Sequence, residues 1–569
     1  MRLLPALAAA AVLAAGTVPA PSVADSHASG GPVLLVPPAL AEPARTREEG
    51  VAPLETEAGH PTEEAEPLTP QKTARQESVQ KIEVNTLAEI APDSIGVLDP
   101  DNGGFGIEMW RGSNREVITS LLRRLPDDMN SRNMRVLARR LLMSIATPPE
   151  VQSAEGKPPT DAPLLSLLML RVERLAALGE VKGLNDLLSV VPRRHDDEVI
   201  ARVRVNGLLL AKSMDEACRL VRNGITNYHQ KPYWQRAMIL CQMVDGEVDK
   251  AMLGLDLLRE QGMTDDPVFF ALAQIFFGAE ADIPSDAKTT PLHFAMIQAT
   301  GAPLPAGLID RGSPAILLAI ATAPNVELEQ RARAAELVCA KGLLEGAVLA
   351  EVYGNFNFSA DELANAISAS ESLDGPRQRA LLYQAARGQT LPATRAEVLR
   401  VALDQAEKAG LYQAVVPVLL PLLEEIDVSP DLAWFASPAG RALYAAGRYE
   451  QASAWLALGR QEAIINPQAS TAAAALWPYS RLAGGSSLTT DGTLASWGAM
   501  RKTIGDDALE QRQTLLRASF QALGVQDPMP WSVIAADGAP APRSLPNAAL
   551  LYALEEASES QRIGETVLL

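Results

Sequence analysis

Apolar residues recur three and four positions apart along most of the chain that follows residue 113. The stretches NREVITSLLRRL and SRNMRVLARRLLMSIA both show this spacing, which is the 3.6-residue period of an amphipathic helix. Ser131 fits the N-cap of the second stretch, and the Pro148–Pro149 pair ends it. The pattern predicts an all-α fold.

Several of these predicted helices come in pairs that meet at a short break. The breaks lie at Gly179, Lys212 and Gly246, which are 33 and 34 residues apart, and at Gly410 and Gly447, which are 37 apart. A turn residue with a positive φ ends a helix compactly, so each break is predicted to be the turn of a helical hairpin.

The same residue types recur at fixed offsets after each break. Two positions on comes the residue expected to begin the second helix and pack back on the first: Val181, Met214, Val248, Tyr412 and Tyr449. A small residue then marks the place where two helix axes approach, as at Ala217, Ala251 and Ala452. A larger residue follows and fills the layer between neighbouring hairpins, as at Leu188, Val221, Leu255, Leu419 and Leu456. One hairpin cannot bury its apolar face alone, so the copies are expected to stack.

The stretch GRALYAAGRYEQASAWLALG carries the fullest copy, with Gly440, Gly447, Tyr449 and Ala452 in place and Gly459 where alanine is usual. A period near 34 with a Gly-x-Tyr-x-x-Ala pattern resembles the tetratricopeptide (TPR) repeat. The resemblance implies a TPR-like α-solenoid. It also implies a long groove, formed by the first helices of successive hairpins, that binds segments of other proteins.

The pattern divides the chain into seven parts. They are a signal peptide (1–24), a disordered tether rich in Pro, Glu and Ala (25–91), an N-terminal loop with capping helices (92–160), TPR-like hairpins (161–278), irregular helical repeats (279–390), further TPR-like hairpins (391–469) and C-terminal helices and loops (470–569). In the N-terminal loop, Phe105, Met109 and Trp110 are expected to pack onto the first helices.

The first residues follow the order of a secretory signal peptide. Arg2 precedes an apolar run from Leu3 to Val18, and small residues allow cleavage after Ala20 or Ala24. Residues 25–100 then hold 14 acidic and 5 basic side chains, which predicts the extended tether. We expect a bacterial protein that is periplasmic or secreted, with an uncleaved N-terminal anchor as the alternative. No later apolar run reaches the ~18 residues of a membrane span.

Composition and charge narrow the function classes. The 569 residues are 47% apolar and 5% aromatic, a balance that favours helix over sheet. The net charge of −19 argues against nucleic acid or anionic lipid as the main partner.

Candidate chemistry is scarce. Cys218, Cys241 and Cys339 form no CxxC pair, and we expect each to be a small buried apolar residue, with a Cys218–Cys241 disulfide as the alternative. The five histidines share no metal-ligand spacing, and HExxH and GxSxG motifs are missing. We therefore predict no catalytic, cofactor or metal site, and not an enzyme.

The predicted function is a non-catalytic interaction or assembly scaffold for another periplasmic or envelope protein. Tyr228, Tyr233, Trp234 and Arg236 are the candidate groove residues, because they are aromatic or basic and lie at or near the first helix of the third hairpin. Packing between repeats is the alternative role of these four. Alternative functions are the regulatory module of a peptidoglycan enzyme whose catalytic domain is absent here, and a self-assembling structural envelope protein.

The last turn of the chain is apolar, whereas the final helix of a repeat array normally shows a polar outer face. One helix is predicted over NAALLYALEEASE, and a second starts near Ser560 and ends in Val567-Leu568-Leu569. Three explanations stay open: a chain cut short relative to a longer relative, a tail that packs on the preceding hairpin, or an apolar end that binds a PDZ-type groove or a tail-specific protease.

Overall fold

The computed structural model describes residues 91–129, 131–149, 166–192, 197–286, 288–484, 494–503, 505, 508–525 and 547–569. Within these ranges the protein is all-helical, with 26 α-helices, short 3₁₀ turns and no β-strand, which confirms the all-α part of the predicted fold class. The predicted signal peptide and all of the predicted tether but Ala91 lie outside the described residues.

The α-helices follow the predicted pattern. The first thirteen are α1 (Arg115–Arg124), α2 (Arg132–Met143), α3 (Leu167–Ala177), α4 (Val181–Val190), α5 (Glu198–Leu210), α6 (Met214–Tyr228), α7 (Pro232–Val244), α8 (Val248–Glu260), α9 (Pro267–Phe276), α10 (Pro291–Thr300), α11 (Leu308–Arg311), α12 (Pro314–Ala321) and α13 (Leu328–Ala340). The others are α14 (Gly346–Gly354), α15 (Ala360–Ala364), α16 (Ala366–Ser370), α17 (Gly375–Gly388), α18 (Pro392–Lys408), α19 (Tyr412–Glu424), α20 (Ala436–Ala445), α21 (Tyr449–Glu462), α22 (Pro467–Leu482), α23 (Leu494–Thr503), α24 (Leu509–Ala522), α25 (Ala548–Glu559) and α26 (Ile563–Leu568). Among the helices so described, none combines the length and the apolar character needed to cross a bilayer.

All five predicted hairpin turns are present. The turn residues Gly179, Lys212, Gly246, Gly410 and Gly447 have φ angles of 72°, 60°, 76°, 69° and 74°, so the predicted positive φ is confirmed. Lys212 adopts this left-handed conformation with a side chain, at a cost of about 1 kcal/mol or more.

The offsets after the turns are confirmed in part. Helices α4, α6, α8, α19 and α21 begin at the five predicted residues, and Ala217, Ala251 and Ala452 are fully buried. The starting residues Val181, Val248 and Tyr449 are 42, 43 and 52% exposed, so they are buried only in part. The ring of Tyr449 lies 6.5 Å from that of Tyr444, on the first helix of its hairpin.

The buried side chains form consecutive clusters along the chain. One runs from Met109 to Val203, the next from Val205 to Ile297, and the largest from Phe294 to Leu476. The largest cluster continues across residue 391, the predicted boundary between the irregular helical repeats and the second set of TPR-like hairpins. It does so because α13 and α14 both pack on α19. A small fourth cluster joins Trp477 to Trp497 and Phe520.

The N-terminal loop packs as predicted. Met109 and Trp110 are buried and Phe105 is half-buried, all against the first helices. The buried Arg171 holds the loop to the end of α2 by donating to the carbonyl oxygens of Ile95 at 2.7 Å and Leu142 at 2.7 Å. Burial lowers the pKa of this guanidinium to about 10.

The last helix lies on the first ones. Helix α26 contacts α1 and α2 as well as α25, and the Gly564 amide donates to the Met109 carbonyl oxygen at 2.9 Å. A Cβ atom on Gly564 would lie 2.5 Å from the Trp110 ring, so the contact requires glycine. The apolar tail is therefore packed, through Val567 and Leu568, against the N-terminal cluster.

Candidate functional site

The predicted groove residues of the third hairpin make contacts within the fold. Trp234 has 0% of its surface exposed, and its ring centroid is 5.2 Å from that of Tyr228 and 5.6 Å from that of Tyr233. The Trp234 indole N–H donates to Glu198 at 3.1 Å, and the Tyr233 hydroxyl donates to Asn206 at 2.8 Å. Burial raises the pKa of Tyr233.

Arg236 ties this hairpin to the helices that follow it. Its guanidinium contacts Asp265 and lies 3.3 Å from Asp266, and His293 reaches the same Asp266 carboxylate at 2.9 Å. The four residues thus take the packing role that was their alternative. The groove prediction is wrong for Trp234, which has no surface to offer; Tyr228, Tyr233 and Arg236 are half-buried.

A disulfide holds the same region together. Cys218 on α6 and Cys241 on α7 are bonded, with their Cα atoms 5.5 Å apart. The expectation of separate buried thiols is therefore wrong for this pair, because the turn between the second and third hairpins brings the two side chains into reach. It holds for Cys339, a buried free cysteine, whose thiol pKa burial raises to about 11.

A cleft opens farther along the chain, where α11 meets the N-terminal ends of α13 and α17. Its volume is about 660 Å³, within the range of sites that hold small molecules or short peptide segments. The residues lining it come from the segment 304–310, which includes the start of α11, from α13, from α17 and from the turn after α18; besides that segment they are Glu327, Glu329, Gln330, Arg333, Glu336, Leu337, Asp374, Gly375, Pro376, Arg379, Ala409 and Leu411.

A buried charged network forms the floor of the cleft. The guanidinium of Arg379 donates from Nε and Nη2 to the two oxygens of Glu336, both at 2.7 Å, and the Tyr353 hydroxyl donates to Glu336 at 2.6 Å. Glu336 is 1% exposed and Arg379 8%. Burial acts to lower the pKa of Arg379, but hydrogen bonding and the charge of Glu336 raise it overall. Burial, together with Glu336, raises the pKa of Tyr353.

The rim of the cleft is acidic. Arg333 pairs with Asp310 at 2.6 Å, and Glu327 caps α13 by accepting the amides of Glu329 and Gln330 at 3.1 Å each. The capping carboxylate is favourable there, because a helix N-terminus carries a partial positive charge.

No protein-family model, curated protein or solved structure matches this chain. Within the described parts of the chain, no three His, Cys, Asp or Glu side chains are grouped so that they could hold a metal ion. The cleft combines apolar walls, an acidic rim and a buried, ion-paired floor.

Sequence reasoning missed this network. Glu336 and Arg379 are 43 residues apart and belong to no short motif. A usable signal was present in ARAAELVCA: Glu336 lies on the same helical face as Ala332 and Cys339. A charge on an otherwise apolar face predicts a buried partner, although it does not say which residue that partner is.

Proposed function

We propose that this chain is an exported, TPR-like α-solenoid that acts as a non-catalytic interaction scaffold and holds a segment of a partner protein in the cleft. The observation that carries the proposal is the cleft itself. It is large enough for a few residues of an extended chain, and it lies where helix ends from several hairpins meet.

The repeated turn geometry supports the solenoid. Five hairpins share the left-handed turn residue, the same helix start and a buried second-helix position. The Cys218–Cys241 disulfide supports export, because disulfides persist in oxidising compartments such as the periplasm.

The floor chemistry favours binding over catalysis. The Glu336 carboxylate already accepts three hydrogen bonds, from Tyr353 and from two nitrogens of Arg379. These three contacts commit the carboxylate to partners within the fold, so its role is to fix Arg379 at the bottom of the cleft.

A position-specific crosslink tests the proposal. The photo-crosslinking residue benzoylphenylalanine would replace Ile309, which lines the cleft, or Leu391, which is exposed outside it. We expect irradiated cells to give one discrete protein adduct from position 309 and not from position 391.

The same cells discriminate the alternatives. Adducts only between copies of this chain would favour a self-assembling envelope protein. Absence of any protein adduct from position 309, with the chain sedimenting with peptidoglycan, would contradict the scaffold and favour the regulatory module of a cell-wall enzyme.

A further inference from the structure

We propose that the segment held in the cleft is basic: a lysine or arginine side chain lies between Glu329 and Asp374, and a backbone carbonyl beside it accepts a hydrogen bond from Arg379. This inference rests on the proposed function and names the chemistry of the partner. Three features of the cleft carry it.

The first feature is the charge left over after the internal pairs are formed. Five carboxylates and two arginines line the cleft, and ion pairs with Asp310 and Glu336 use both arginines. Glu327 is satisfied by backbone amides. Glu329 and Asp374 form no ion pair with any described residue, and Asp374 makes no capping hydrogen bond at the start of α17.

Glu329 lies next to the segment that carries Asp374. A Cβ atom placed on Gly375 would lie 3.6 Å from a carboxylate oxygen of Glu329, which brings Glu329 beside the residue that follows Asp374. A cation at this edge of the cleft is attracted by both carboxylates.

The second feature is the apolar wall. Leu304, Ile309, Leu337 and Leu411 also line the cleft. Lysine and arginine bury an aliphatic stem along apolar surface while the charged head stays near carboxylates. A simple metal cation has no such stem and gains nothing from these four side chains.

The third feature is the part of the Arg379 guanidinium that Glu336 does not bind. Its Nε and Nη2 are used by Glu336, which leaves Nη1 outside this ion pair, and the side chain is over nine-tenths buried at the cleft floor. Because Glu336 neutralises the guanidinium charge, the remaining N–H groups suit a neutral acceptor such as a peptide carbonyl.

Fluorescence anisotropy on the purified full chain tests the inference. The probe is a short labelled peptide of alternating alanine and lysine, compared with the same peptide after acetylation of its lysines. The Glu329→Gln/Asp374→Asn variant removes the two of the five cleft carboxylates that form no ion pair with a described residue. The Glu351→Gln/Glu397→Gln variant is the matched control, because it removes two exposed acidic residues outside the cleft and changes the net charge equally.

We expect the cleft variant to bind the lysine peptide about tenfold more weakly than the wild type, a change of ~1.4 kcal/mol, and the control variant to bind within about twofold. Acetylation should abolish binding to the wild type. Equal losses in the two variants would show attraction to overall charge and overturn the inference, as would equal binding of the acetylated peptide. Competition by free spermine with no binding of the peptide would also overturn it, in favour of a polyamine site.

The outcomes separate the two proposals. If a partner crosslinks at position 309 with equal yield in the cleft variant, the scaffold stands and the basic segment is wrong. If the lysine peptide binds as expected but no protein crosslinks at position 309, the chemistry of the cleft stands and the scaffold is wrong.

Discussion

The third hairpin and the cleft both place an arginine against carboxylates next to aromatic rings, yet they differ in what is left unpaired. In the third hairpin, Arg236 meets Asp265 and Asp266 while Trp234 is sealed by its neighbours. In the cleft, Arg379 is paired with Glu336, but Glu329 and Asp374 at the rim have no ion-pair partner among the described residues. The carboxylates of the first arrangement are therefore paired within the fold, and we propose that a ligand pairs those of the second.

The comparison teaches that residue type is a poor guide to a binding surface in a helical array. Aromatic and basic side chains are the usual hot spots of interfaces, but in α7 they join one hairpin to the next. A binding surface is better recognised by charge that the fold itself does not neutralise.

The largest effect is expected from Trp234→Ala in the third hairpin. Loss of a fully buried indole should lower the free energy of unfolding by about 4–5 kcal/mol, measured by urea denaturation. Gly224→Ala should also destabilise, because its Cβ atom would lie 2.2 Å from the Trp234 ring. Where the Trp234→Ala protein remains folded, unchanged affinity for the lysine peptide is expected; a specific loss of binding would restore the third hairpin as the partner site.

Breaking the cleft floor should cost slightly less. Arg379→Met leaves the buried Glu336 without its cation and is expected to lower the free energy of unfolding by about 3–4 kcal/mol. The double variant Glu336→Gln/Arg379→Met removes both charges and keeps an acceptor for the Tyr353 hydroxyl, so it should recover a large part of that loss. Equal stability of the single and double variants would show that the two charges are not coupled.

Removal of the disulfide should destabilise the third hairpin by about 3 kcal/mol. The Cys218→Ala/Cys241→Ala variant, followed by thermal unfolding, measures this loss. Reductant should destabilise the wild type by a similar amount and leave the variant unchanged, since Cys339 is a free thiol. Identical melting of the wild type with and without reductant would contradict the bonded pair.

The smallest effect is expected from acid. Although burial acts to raise it, the pKa of Asp266 is lowered overall by His293, by the Phe269 amide and by Arg236. Because the pKa of Asp266 is lower in the folded state than in the unfolded state, its ionised carboxylate stabilises the fold at pH values above the ordinary pKa of 3.8. That stabilisation is lost as the pH falls through the folded-state pKa. The free energy of unfolding of the Asp266→Asn variant should therefore fall less than that of the wild type below about pH 4. An equally steep fall in the variant would argue against this role of Asp266.

Much of the fold could be predicted from the sequence because its helices and turns depend on residues that are close together in the chain. Turn residues such as Gly179 and Lys212, and the buried Ala217, Ala251 and Ala452, follow from a period that one stretch of chain reveals. The half-exposed starts of the second helices could not be foreseen, since they depend on how far each hairpin extends beyond its neighbours.

The candidate site could not be predicted, because its parts are distant in sequence. The cleft depends on four segments, 304–310, 327–337, 374–379 and 409–411, and the repeats of the first three have no clear register. The same holds for Gly564, which meets Met109 from the far end of the chain. The Cys218–Cys241 pair was within reach of the hairpin prediction, but helix adjacency alone does not fix the distance between two side chains.

The most direct test of the central claim compares crosslinking from the two regions in one experiment. Benzoylphenylalanine would be placed at Ile309 in the cleft or at Tyr228 in the third hairpin, and adducts would be quantified by mass spectrometry after irradiation of whole cells. The account predicts a single protein adduct at position 309 whose yield falls in the Glu329→Gln/Asp374→Asn background, and none at position 228. An adduct at position 228 with none at position 309 would contradict it.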